Sequence, residues 1–63
     1  MAKTFIEGDR VQVLPLDYLK PRLRNANGTV TAWCHDDLYE VAIDDGFNAV
    51  LEASEMTHVP QPN

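Results

Sequence analysis

The chain has 63 residues, room for one domain, and 44% of them are apolar, so it is expected to bury a small core rather than stay disordered. The formal charge is −5 and is divided unevenly: residues 1–31 hold five cations against three acids, whereas residues 32–63 hold seven acids and no Lys or Arg. That balance argues against broad nucleic-acid binding, which needs many cations on phosphate, and no run of about 18 apolar residues is present to span a membrane.

Residues 1–7 read as an N-terminal arm, with no long apolar run and an early acid, Glu7, unlike a signal peptide. Gly8-Asp9 opens the first strand, residues 10–14, which alternates polar and apolar so that Val11 and Val13 face inward. Pro15 stops it. A long connection follows to Asn27. Asp17 to Lys20 is long enough for one helical turn, and Pro21 opposes a longer one. Leu16, Tyr18, Leu19 and Leu23 are expected to fold this loop back over one end of the core, and Asn25-Ala26-Asn27-Gly28 reads as a turn.

Residues 29–34 are rich in β-branched and aromatic side chains. Strict alternation puts Val30, Ala32 and Cys34 on the inner face and Thr29, Thr31 and Trp33 on the outer one. His35-Asp36-Asp37 is a polar turn. The third strand, residues 38–43, turns Tyr39, Val41 and Ile43 inward and Glu40 and Ala42 outward; Asp44-Asp45-Gly46 is a hairpin turn. The fourth strand, residues 47–53, buries Phe47, Ala49, Leu51 and Ala53. Ser54-Glu55 suits a 3-10 turn, residues 56–59 a fifth strand, and residues 60–63 a frayed tail.

Five short strands, a long first loop and a 3-10 turn before the last strand imply an all-β domain closed as a small SH3-like barrel over residues 8–59. Gly8-Asp9-Arg10-Val11-Gln12-Val13, Asn27-Gly28-Thr29-Val30 and the segment from Glu52 to Val59 resemble KOW domains and related SH3-like barrels, over nearly the whole chain. Such barrels serve many tasks. KOW domains bind RNA or protein partners. The strand and turn from Val11 to Val30 are also similar to the small SH3-like accessory protein of photosystem I, and the barrel to the nitrile hydratase β-subunit, both accessory components of larger assemblies. Type II dihydrofolate reductases are similar at Gly8-Asp9-Arg10-Val11 and at Gly28-Thr29-Val30 followed by Trp33. Their pore strand reads Val-Gln-Ile-Tyr; here neither Asn48-Ala49-Val50-Leu51 nor Val50-Leu51-Glu52-Ala53 supplies the Gln or Tyr, so no catalytic residue carries over.

Cys34 is the one cysteine, which excludes an internal disulfide and a several-cysteine zinc site and suits a reducing cytoplasm. It reads as a small buried thiol beside a solvated turn. The pairs Asp36-Asp37 and Asp44-Asp45 fall at opposite ends of the third strand, roughly 17–20 Å apart, too far to share a metal ion. No cofactor is implied. Trp33, Ala42 and Val50 are expected to form an outward apolar strip rimmed by acids such as Glu40, a surface for a protein partner or a second copy. Arg10, Lys20, Arg22 and Arg24 are a candidate anion-binding set for nucleic acid or an acidic partner. The leading expectation is therefore a non-enzymatic binding module, cytoplasmic and self-associating or docked on a partner. A KOW-type nucleic-acid binder and an oligomeric pore enzyme are the alternatives.

Overall fold

The computed structural model describes residues 4–59. It is all-β: five antiparallel strands form one sheet in the order β4-β3-β2-β1-β5. The strands are β1 Arg10–Val13, β2 Asn27–His35, β3 Leu38–Ile43, β4 Asn48–Glu52 and β5 Met56–His58, with a 3-10 turn at Ala53–Glu55 before β5. Among the described residues no helix is long and apolar enough to cross a membrane. The expected arm is described from residue 4 onward, and the expected tail, residues 60–63, lies outside the described residues.

Alternation decides β1 and β3. Val11 and Val13, then Tyr39, Val41 and Ile43, are buried on one face, while their neighbours in sequence stay at least partly exposed. These five meet Phe5, Val30, Leu51 and Met56 in one core, and Leu19, Leu23, Ala26, Phe47, Ala49 and Ala53 pack around its margin. The arm thus contributes to the interior. Phe5 meets the Tyr39 ring edge-on at 5.6 Å, and the buried Tyr39 hydroxyl accepts hydrogen bonds from the Thr4 and Phe5 amides. A buried phenol needs such partners, so the hydroxyl draws the arm across the sheet.

The second strand departs from strict alternation. Val30 lies opposite Val41, but Ala32 lies opposite Glu40 and Trp33 opposite Tyr39; a second slip separates Trp33 from His35, which faces Leu38. In each slip β2 takes two steps against one of β3, so Thr31 and Cys34 are extra residues in two β-bulges. The expected inner row of Val30, Ala32 and Cys34 is therefore broken. Cys34 is exposed rather than a buried thiol, because the bulge removes it from the pleat. The Thr31 hydroxyl secures the first bulge by donating to the Glu40 carboxylate at 2.9 Å.

The turn before β2 also differs from expectation. Its left-handed residue is Asn25, with φ 62°, and Asn27 and Gly28 already belong to the strand. Gly28 is needed for close approach instead. A Cβ there would sit 2.7 Å from both the Ala42 carbonyl oxygen and Val41 Cγ1. Gly28→Ala should therefore destabilise the fold by about 1–3 kcal/mol through overpacking, lowering the thermal midpoint by about 4–8 °C per kcal/mol in a domain of this size; a differential scanning calorimetry trace checks it.

Ion pairs tie distant segments together. Arg10 makes a two-pronged contact with Asp44 at 2.7 and 2.9 Å, joining β1 to the β3–β4 turn. Asp9 Oδ2 accepts the Ile6 amide at 3.0 Å and lies 3.1 Å from His58 Nε2, whose ring packs at a tilt against Phe5, 4.5 Å between centroids. The Ile6 amide first, and then His58, hold the Asp9 pKa below its ordinary value; Arg10 does the same for Asp44. For carboxylates depressed on folding, this stabilisation is present above the unfolded pKa and is lost as pH falls through the folded one. Stability should thus decline below about pH 4, and Asp9→Asn and Asp44→Asn should each flatten that decline in urea titrations at a series of acid pH values.

Candidate functional site

Residues 14–26 connect β1 to β2 as two successive turns. Leu19 N–H donates to the Leu16 carbonyl, and Leu23 and Arg24 N–H donate to the Lys20 and Pro21 carbonyls. Pro21, with φ already set, suits the start of the second turn. Leu19 and Leu23 pack on the core margin as expected, whereas Tyr18 stays exposed. Arg24 shapes the loop from within: its Nε donates to the Leu16 and Leu19 carbonyls at 3.1 Å, and its Nη2 to the Asp17 carbonyl at 2.7 Å.

The loop and β4 form the walls of an open groove of about 380 Å³. Tyr18, Lys20 and Arg22 line the loop side and Phe47, Asn48 and Val50 the strand side. The Arg22 guanidinium lies 3.9 Å above the Phe47 ring, a cation–π contact that holds it along the groove. Near Tyr18 lies Glu55, a buried carboxylate that caps the 3-10 turn by accepting the Glu52 amide at 2.7 Å. Its hydrogen bond to the Tyr18 phenol, together with desolvation, raises the phenol's pKa above the ordinary value. The groove therefore offers aromatic and aliphatic surface beside two cations, in a chain that is acidic elsewhere.

A second groove, of about 360 Å³, is lined by Phe5, Ile6, Glu7, Ala32 and Trp33. Trp33 is fixed at its mouth by a hydrogen bond from the indole N–H to the Asp36 carbonyl at 2.8 Å. Asp36 adopts φ 50°, the left-handed turn conformation that an Asp tolerates.

The expected strip of Trp33, Ala42 and Val50 is divided by the first bulge. Val50 lies opposite Glu40, and Ala42 opposite Asn48, so Glu40, Ala42 and Val50 do share one face. Trp33, opposite Tyr39, lies on the other. The four expected anion-binding cations are divided too. Arg10 is committed to Asp44 and Arg24 to loop carbonyls, while Lys20 and Arg22 remain together in the first groove. Among the described residues no group of three or more His, Cys, Asp or Glu side chains converges to hold a metal ion; His35 lies 3.4 Å from Asp36 alone.

No sequence pattern brings Tyr18 and Phe47 to one site, or Ile6 to Trp33. An exposed aromatic in a proline-bounded loop is the available signal for Tyr18; nothing local marks the others. No family model, curated protein or solved structure matches the chain.

Because Arg24 holds three carbonyls of the loop that supplies one groove wall, Arg24→Ala should cost about 1.5–3 kcal/mol and speed amide exchange at Leu19 and Leu23, read by hydrogen–deuterium exchange, with β3 little changed.

Proposed function

We propose that the protein is a small non-enzymatic binding module or accessory subunit that works through protein–protein contacts on its sheet surfaces. One observation carries this reading. The exposed large hydrophobics among the described residues are Ile6 at 62%, Tyr18 at 69%, Trp33 at 46% and Val50 at 57%. They fall in pairs into the two grooves, Tyr18 with Val50 and Ile6 with Trp33, and the grooves share no lining residue. Scattered apolar residues are ordinary on a surface, but paired ones set in grooves beside charged groups are the pattern of recognition sites.

An SH3-like barrel is the architecture that best accounts for the sheet order, the long first loop, the two bulges in β2 and the 3-10 turn before β5, since bulges let a strand bend and a bent sheet closes on itself. The resemblance to accessory-subunit barrels points the same way. A reducing cytoplasm suits a chain whose single thiol stands exposed. No comparable arrangement favours the nucleic-acid or pore-enzyme reading, since two of the four basic residues that nucleic acid would need are drawn into internal contacts.

Immobilised protein should capture a defined partner from a native-host lysate. Trp33→Ala or Val50→Asp should weaken that capture about 30-fold, the loss of one hot-spot residue, while far-UV circular dichroism stays that of the parent. Equal capture by parent and both folded variants would overturn the proposal.

A further inference from the structure

The strand β4 ends the sheet, and among the described residues no strand neighbours its outer edge. Ile43 N–H donates to the Phe47 carbonyl and Ala53 N–H to the Asp37 carbonyl. With Val41 opposite Ala49 and Tyr39 opposite Leu51, the odd-numbered residues of β4 bond to β3. Alternation then turns the N–H and C=O groups of Asn48 and Val50 and the C=O of Glu52 toward the open edge, the Glu52 N–H being taken by the Glu55 carboxylate at 2.7 Å. Proteins usually blunt such an edge with Lys, Pro or a bulge. Here Asn48-Ala49-Val50-Leu51-Glu52 has none of these, and its register with β3 is unbroken.

We propose that the occupant of this edge is a second copy of the chain, paired β4 to β4 antiparallel about a two-fold axis at Val50. This deepens the binding-module reading by naming the partner of the first groove. Only that register pairs all five residues of β4, and it brings the outward backbone groups face to face: the two Val50 residues exchange N–H···O=C bonds, and each Asn48 N–H meets the Glu52 C=O of the other copy. The exposed Val50 side chains then meet at the centre. Charge supports the same register. Each Glu52 is carried to the partner's Asn48, which shares its groove with Lys20 and Arg22, so an acid of one copy meets the cationic patch of the other. In a chain of net charge −5, that patch is what lets two copies approach.

Sedimentation equilibrium on the full chain, from about 10 µM to about 1 mM, should give twice the 7.1 kDa of one chain at the upper end. V50K should return 7.1 kDa. Glu52→Lys and Arg22→Glu should each raise the dimer Kd at least roughly tenfold by setting like charges face to face, and the E52K/R22E double variant should recover most of that loss. Ile6→Lys, in the other groove, should leave the mass unchanged. A 7.1 kDa species at every concentration, a dimer that survives V50K in folded protein, or charge reversals without rescue would overturn self-pairing. A monomer that still captures a host partner in a Val50-dependent way would sink this inference and leave the binding-module reading standing; a dimer that captures nothing would do the reverse for partner docking.

Discussion

The two extra residues of β2 govern the molecule. A five-stranded sheet of this length has one apolar face and, among the described residues, no second layer of helix to cover it; Phe5 of the arm and Leu19 and Leu23 of the first loop pack there instead. The bulges at Thr31 and Cys34 supply bend and twist in the one strand that pairs with both β1 and β3. Their cost is an irregular ladder, which the Thr31 hydroxyl partly offsets by bonding to Glu40. Their consequence is a reversal of parity: beyond Thr31 the side chains exchange faces, which puts Trp33 across from Tyr39 and sends Cys34 to solvent.

Around that bulged strand, isolated polar groups complete what apolar residues are too few to do. Tyr39 brings the arm in through its hydroxyl, and Phe5 follows to cover the ring. Arg24 gathers three carbonyls of a loop that has no ladder of its own. Glu55 caps the 3-10 turn from a buried carboxylate by accepting the Glu52 amide. Each satisfies backbone or hydroxyl groups that would otherwise lie unpaired near the core, which is the condition for so small an interior to be specific. The acids of the second half serve the same ends: Asp44 holds Arg10, and Asp36 makes the turn that fixes the indole.

How much of this is legible in the sequence depends on whether a feature is periodic. The third strand is legible to its ends because Leu38–Ile43 alternates without interruption between two Asp turns. The 3-10 turn and the last strand are legible from Ser54-Glu55 and the apolar residue after them. Alternation misplaces Cys34 because an inserted residue leaves no mark on a period-two pattern; only the partner strand reveals it. Residue type alone assigns Gly28 to a turn, whereas the crowding by Ala42 and Val41 that demands it lies across the sheet. Phe5 belongs to no run, so its burial is visible only once Tyr39 is in place. The candidate site shows the same limit. Val50, Lys20 and Arg22 each stand out in the sequence, but in separate sets, and their meeting depends on the path that Arg24 imposes on the loop.

Charge then determines which surface is available. An acidic chain holds copies of itself and other acidic proteins apart, over about a Debye length of 8–10 Å in ordinary salt. The repulsion is relieved only where the sign is locally inverted. Of the cations in the described chain, Arg10 is neutralised by Asp44 and Arg24 is turned inward, so the inversion is confined to Lys20 and Arg22. Those two stand beside the open edge of β4 and the exposed Val50, where backbone groups and apolar surface are already directed outward. In the proposed dimer, attraction at long range and strand pairing at short range therefore select the same strip of the molecule, and the acidity of the remainder lowers the competition from every other face.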